Sequence, residues 1–199
     1  MSWWNGNGEV PGCNGAWNAR LARSYNLSRV DLSGFGNRLW SRNRPFWSRK
    51  RGWTLDGFGQ YLSSGLTSLP VGTMVIECGD VSGSGAIIGR MGTSGTYGIR
   101  SVSGGYVRVY CGEGQADFSP FRSSGIFILS GNRFYFGKDL VGEVLAREDV
   151  SSGAIDIGRL NAGSFMHMKG DVHLASVYSR ILSGNEVAMI VDSINGLSK

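Results

Sequence analysis

From about residue 53 onward, apolar, β-branched and aromatic runs alternate with clusters of glycine, serine and asparagine. The succession is GWTL, QYLSSGL, GTMVIEC, GAIIGRM, TYGIRSV, YVRVYC, GIFILS, RFYFG, AIDIGRL and VHLASVY. About ten short strands spaced roughly 8 to 12 residues apart form the pattern of an antiparallel sandwich or barrel. Between IFILS and RFYF, Gly131 and Asn132 make a two-residue hairpin loop whose glycine supplies the positive φ a primed turn needs.

The periodicity changes near the end. Ser183-Gly184-Asn185-Glu186 fits a capping box, in which the serine hydroxyl accepts from the backbone three residues on and the glutamate reaches back to the serine N–H. Val187, Ile190, Val191 and Ile194 follow at helical spacing, so an amphipathic helix is expected, stopped by Asn195-Gly196. A helix of about 12 residues is marginal alone in water. Its stripe is expected to pack on the sheet ending in VHLASVY, covering a sheet edge or the open end of the sandwich.

Residues 1 to 52 are less regular. AWNARLARSYNL suits a short helix with Trp17, Leu21 and Tyr25 on one face, and DLSGFGN follows as a turn. The segment is either an arm or the source of the first strands. We take residues 1–30 as an amino-terminal arm with an assembly role and residues 31–199 as the folded domain.

At 199 residues the chain has the size of one large β domain. Glycine is the unusual count, 32 against 4 prolines, which fits many tight turns and argues against a disordered Pro/Gly-rich segment. Cys13, Cys78 and Cys111 are widely spaced, odd in number and lack a CxxC pair, so free thiols are expected rather than disulfides or a zinc site. No secretion signal opens the sequence and no apolar stretch is long enough to span a bilayer, so a soluble chain is expected. The Asn26-Leu27-Ser28 sequon carries weight only in a secretory context.

The formal net charge is +5, and the cations are unevenly placed. No acidic residue lies between Asp31 and Asp56, while Arg38, Arg42, Arg44, Arg49, Lys50 and Arg51 crowd there, interleaved with Trp40, Phe46, Trp47 and Trp53. Such a mixture suits rings that stack on sugars or bases while cations engage phosphate, sulfate or carboxylate groups. Its alternative is a solvated basic loop whose arginine stems cover core or interface aromatics. Arg38, Trp40, Arg42, Arg44, Trp47, Arg49, Lys50 and Arg51 are the candidate contact residues, for assembly or for a polyanion. Ser183 and Glu186 are the structural cap.

Catalytic patterns are missing. Glycoside hydrolysis needs two carboxylates flanking one bond, roughly 5 to 10 Å apart. Glu77 and Asp80 face opposite sides of an extended strand, as do Glu143 and Glu148, and Glu143 and Asp149 would lie about 20 Å apart. His167 and His173 lack HExxH or metal-ligand spacing, and Asp171 with His173 reads as a surface pair. There is no GxSxG elbow or P-loop, and GNGEVPG has the wrong spacing for a dinucleotide turn. Asp80, Asp117, Asp139 and Asp156 form no oxygen-rich cluster in sequence, so no calcium site can be named. No catalytic residue, metal or cofactor is expected.

DLSGFGNRL, GWTLDGFGQYLSSGL, the middle hairpins and GDVHLASVYSRILSGNEVAMI, over about residues 31 to 194, resemble the concanavalin A-like, laminin G-like jelly-roll superfamily. Its members often read D-S-G-x-G-N, F-D-G-x-x-x-Y-L and a terminal strand followed by R-x-L-S-x-x-E. The likeness is greatest to phage-encoded, virion-associated variants. It implies an all-β fold, an antiparallel two-sheet jelly-roll sandwich with a short C-terminal helix, used for carbohydrate binding, glycan hydrolysis or virion surfaces. Fold does not select among these. The hydrolases of this fold carry paired acids as E-x-D-x-x-E, which this chain lacks. The reading is therefore a non-enzymatic structural or decoration protein on the head or tail of a phage particle. Its expected partners are other virion proteins or itself, as a homo-oligomer, and a host-surface glycan. The alternative is a free-standing lectin module, with a glycan hydrolase third. Neither membrane insertion nor a nucleic-acid partner is expected.

Overall fold

The computed structural model describes residues 2–67, 72–92, 95–145, 153–160 and 166–197. The strands run β1 (Cys13–Asn18), β2 (Trp40–Arg42), β3 (Phe46–Ser48), β4 (Gly52–Asp56), β5 (Tyr61–Ser63), β6 (Thr73–Ser82), β7 (Gly85–Gly92) and β8 (Gly95–Val102). They continue as β9 (Tyr106–Gly112), β10 (Gly114–Phe118), β11 (Gly125–Ser130), β12 (Arg133–Phe136), β13 (Asp139–Glu143), β14 (Asp156–Ile157) and β15 (Lys169–Tyr178). The helices are α1 (Tyr25–Ser28) and α2 (Gly184–Gly196), with a 3-10 segment at Trp3–Gly8.

Two antiparallel sheets form the expected sandwich. The first has the order β13-β12-β11-β6-β15-β4-β3, with β1 also paired to β15; the second has the order β10-β9-β8-β7-β14-β5-β2. Met74, Ile76 and Cys78 of β6 and Val172, Ala175 and Val177 of β15 share one core with Ile88, Tyr97, Ile99, Val107 and Val109 of the second sheet. The hairpin read from Gly131-Asn132 joins β11 to β12, with Ser130 opposite Arg133 and Gly131 at φ 59°.

The amino-terminal segment is not an arm. β1 pairs along β15, with Trp17 opposite Ala175 and Asn18 opposite Leu174, and the Trp3 and Trp17 side chains are fully buried. Without β1, the backbone of β15 at residues 174–178 would keep unpaired polar groups on that side. The expected helix through Trp17, Leu21 and Tyr25 is likewise corrected. Trp17 lies in a strand, Leu21 is exposed, and α1 spans only Tyr25–Ser28, with the Ser24 hydroxyl accepting from the Leu27 N–H.

DLSGFGN proves to be the clamp that holds β1. Asp31 Oδ1 accepts from the Ala16 N–H at 3.0 Å and from the Ser33 N–H at 2.9 Å, while Oδ2 accepts from the Asn37 N–H at 3.0 Å. Asn37 answers by accepting the Trp17 indole N–H on its carbonyl at 2.8 Å and donating its side-chain amide to the Asn14 carbonyl at 2.7 Å.

Helix α2 has the expected capping box and buries the expected stripe, Val187, Ile190, Val191 and Ile194. It packs on the expected sheet, the one that contains β15, but not at the expected place on it. The stripe packs with Trp3, Val75, Ile126, Ile128, Leu174 and Tyr178 on the outer face of the first sheet, not on an edge or an open end. Alternation explains it: when Met74, Ile76, Phe127 and Leu129 point inward, Val75, Ile126 and Ile128 point outward and need a cover. The helix also runs through Gly196 and is capped at Leu197, so Asn195-Gly196 is not a left-handed stop.

Glu186 of the capping box pairs with Arg180 and accepts from the Ser183 N–H at 2.8 Å. The Arg180 hydrogen bonds outweigh burial and hold its carboxyl at about 2, below the ordinary 4.5. A depressed carboxyl stabilises the fold above its unfolded value, and that contribution is lost as pH falls toward the folded value. Glu186→Gln should therefore lower the melting temperature near neutral pH, and the gap to wild type should close between about pH 5 and pH 2. Thermal scans across that range test it; a pH-independent gap would contradict it. Ser183→Ala should cost about 1 kcal/mol through the lost cap.

Candidate functional site

The basic, aromatic segment lies at one side of the sandwich and crosses from one sheet to the other. β2 is the edge strand of the second sheet and β3 that of the first, so residues 43–45 carry the chain across. Ser41 is opposite the core residue Leu62, which turns Trp40 and Arg42 outward, and Trp40 is 74% exposed. On β3, Phe46 is 63% exposed, whereas Trp47 is half-buried and donates its indole N–H to the Ala19 carbonyl at 2.8 Å.

The crossover is shaped by its backbone. Asn43 and Arg44 have φ of 53° and 32°, a region that a bulky side chain rarely occupies. A neighbouring turn holds them there: Asn43 donates its amide to the Gly59 carbonyl at 3.2 Å, and Gln60 donates to the Asn43 carbonyl at 3.3 Å. That turn is in turn organised by Asp56, whose Oδ1 accepts from the N–H groups of Phe58 at 2.9 Å and Gly59 at 3.3 Å. Burial alone would raise the Asp56 carboxyl, but these backbone donors prevail and keep it below its usual range.

Between the crossover and α1 lies a cleft of about 430 Å³ lined by Tyr25, Arg44, Pro45, Phe46, Trp47 and Gln60. The Arg29 and Arg44 guanidinium carbons sit 4.7 Å and 5.2 Å from the centroid of the Tyr25 ring, within cation–π range. α1 is anchored beneath: Ser28 donates its hydroxyl to the Tyr25 carbonyl at 2.7 Å and accepts the indole N–H of fully buried Trp53 at 2.8 Å. Among the described residues, Arg29, Arg42 and Arg44 make no ion pair. The cleft thus offers aromatic faces beside uncompensated positive charge.

The eight candidate residues do not form one surface. Arg44 and Trp47 meet in the cleft, and Trp40 and Arg42 stand on the adjoining edge strand. Arg38 is exposed in the loop before β2, and Arg49 and Lys50 are exposed in the β3–β4 turn. Arg49 lines a separate cleft of about 260 Å³ with Arg20 and Glu77 on the outer face of the first sheet. Arg51 is engaged by buried Asp171 at 2.7 Å, a carboxylate that also accepts from the Thr54 hydroxyl at 2.6 Å. Missing from the sequence reading were Tyr25, Arg29 and Gln60. The first two sit on or beside a helix whose one sequence signal is the Ser24 cap, and Gln60 belongs to a turn that meets residue 43 only through hydrogen bonds.

The acidic residues are spoken for individually. Glu77 Oε1 lies 3.4 Å from His173 Nδ1 and 3.8 Å from Arg20. Asp171 and His173 share the face beside Gly79, as expected, but each has its own partners, Arg51 and Thr54 for Asp171 and Glu77 for His173. Asp117 binds Arg108 through two bonds of 2.7 Å, Glu143 meets Arg133 at 3.0 Å, and Asp156 receives Arg159 at 2.8 Å. Glu148 and Asp149 lie outside the described residues. Among the described residues, no group of three or more His, Cys, Asp or Glu is placed to hold a metal ion. Burial pushes the Cys13 thiol up to about 12 and that of Cys78 well above its ordinary value, so neither is a thiolate near neutral pH.

No family model and no curated protein sequence matches the chain. Solved structures do. A mutant of Trypanosoma rangeli sialidase displaying trans-sialidase activity superimposes with a TM-score of 0.68 at 14% identity, over 92% of this chain and 33% of that one. The binding domain of botulinum neurotoxin serotype D gives 0.64 at 9% identity, over 92% of this chain and 51% of that one. Domain 4 of a GH43 extracellular arabinanase from Geobacillus stearothermophilus, in complex with arabinotriose, gives 0.63 at 10% identity, over 90% and 98%. At such identities the likeness is one of fold. The chain spans about a third of the sialidase it matches.

Proposed function

We propose that this chain is a non-catalytic glycan-binding domain that takes a sugar in the cleft between α1 and the β2–β3 crossover. The observation that carries the reading is the arrangement of Phe46, Trp47 and Tyr25 around a preformed cleft, with Trp40 exposed on the strand beside it. Aromatic faces held rigidly by the fold present large contact area at little entropic cost, which is what ring stacking requires. A similar fold bound to arabinotriose supports the same reading. Glu77, Glu143 and Asp156, each engaged with its own cation, support a binding role over hydrolysis.

Affinity electrophoresis and calorimetry against a polysaccharide panel test this. Phe46→Ala and Trp40→Ala should each weaken binding about tenfold or more, the equivalent of about 1.4 kcal/mol, while leaving the melting temperature nearly unchanged because both rings are exposed. No reducing ends should be released. Absence of binding to any glycan, or binding indifferent to both substitutions, would overturn the reading, and turnover would overturn the non-catalytic part.

A second reading, a surface subunit of a phage particle, is favoured by Leu21, Leu27, Val30 and Leu32. These exposed side chains line one apolar depression of about 410 Å³, and contiguous apolar patches mark contact surfaces. The two readings combine in a virion protein that adheres to host glycans. Mass spectrometry of purified particles at fixed copy number tests it, and absence from particles would remove the virion half.

A further inference from the structure

The cleft is built for more than a neutral ring. Arg44 is held by a backbone conformation costly for its type, and its guanidinium lies over the same phenol ring that Arg29 approaches. Two cations brought to one ring repel each other, and no carboxylate among the described residues pairs with either. Arg29 spends its terminal nitrogens on neutral acceptors, the Leu39 carbonyl and Ser41 hydroxyl at 3.4 Å and the Asn26 amide oxygen at 3.0 Å. Among the described residues no hydrogen bond or ion pair engages the Arg44 guanidinium, which lines the cleft beside Tyr25. Several arginines elsewhere in the chain do meet a carboxylate: Arg51 with Asp171, Arg108 with Asp117, Arg133 with Glu143, Arg159 with Asp156 and Arg180 with Glu186.

Resting on the glycan-binding reading, we infer that the sugar selected by this cleft is an acidic one, whose carboxylate or sulfate is received by Arg44 while the ring stacks on Phe46. Arg29 lends field without direct contact, because both terminal nitrogens already meet neutral acceptors and its Nε is buried. A guanidinium presents two parallel donors to a planar carboxylate and suits a sulfate as well. The shared chemistry is an anionic group on a pyranose ring.

Matched ligand pairs separate the charge from the ring. Binding of the full chain is measured by calorimetry to oligogalacturonate and to its methyl ester, which masks only the carboxylate, and to chondroitin sulfate and its desulfated form. The acidic member of at least one pair should bind about tenfold or more tightly, and the pair that discriminates identifies carboxylate or sulfate. Arg44→Met should erase that preference while retaining weak binding of the masked ligand, whereas Phe46→Ala should weaken both members. Arg44→Lys should restore only part of it, since a point charge replaces a fork. Equal binding of acidic and masked sugars would overturn the inference and leave glycan binding standing. Failure of every sugar to bind would overturn both. Single-stranded DNA bound as tightly as the acidic sugar, with the same dependence on Arg44, would overturn the inference in favour of a general polyanion site.

Discussion

Deleting residues 1–30 should abolish the cooperative thermal transition, leaving a chain that populates aggregates or unfolded species at 25 °C. The deletion removes β1 from β15 and takes out Trp3 and Trp17, both fully buried. Truncating one buried tryptophan costs about 3–5 kcal/mol, and a domain of ordinary stability has only about 5–15 kcal/mol in total. Trp17→Ala alone should lower the unfolding free energy by about 3–5 kcal/mol, read from urea titration by circular dichroism. A truncated protein that melts cooperatively within a few degrees of the full chain would show that the segment is an appendage after all.

Removing residues 183–199 should be nearly as damaging, by another route. The outer face of the first sheet would then lose the helix stripe that shares one apolar cluster with Val75, Ile126, Ile128, Leu174 and Tyr178, and part of that surface would open to solvent. Ile190→Ala within the intact helix should cost about 2–5 kcal/mol. The truncated chain should bind a hydrophobic dye strongly and elute as oligomers, while Ile190→Ala should remain monomeric with a lowered midpoint. A truncated protein of unchanged melting temperature and no dye binding would contradict this.

The ten runs of the middle and the end all became strands because each carries enough β-branched or aromatic side chains to be recognised alone. β1, β10 and β13 carry less. CNGAWN mixes asparagine and glycine, which strands disfavour, and it is a strand because β15 offers an unpaired edge and the core offers room for Trp17. GQADF and DLVGE lie at or beside sheet edges and have mostly exposed or half-exposed side chains, so no apolar alternation announces them. Placement of α2 was in principle readable, since GTMVIEC and GIFILS are apolar at odd and even positions alike, the mark of a strand covered on both sides.

At the cleft, composition marked a stretch that supplies part of the lining and could not divide it. Arg44 and Arg51 look equivalent in sequence, yet Asp171, 120 residues away from Arg51, engages that one and leaves the other lining the cleft. Tyr25 could not be enlisted from pattern alone, because the cleft exists only once α1 has been bolted to Trp53 through Ser28.

The pairing of β1 with β15 has a consequence for how the chain comes into being. β15 is an interior strand of its sheet, bonded to β6 on one side and to β4 and β1 on the other, yet it follows all of these partners in chain order. During vectorial synthesis, β1, β4 and β6 each keep an open edge until residues 169–178 emerge. Trp4, whose carbonyl accepts the Tyr178 hydroxyl, waits 174 residues for that partner. Topologies of such high contact order fold slowly and keep apolar edges available for intermolecular pairing meanwhile.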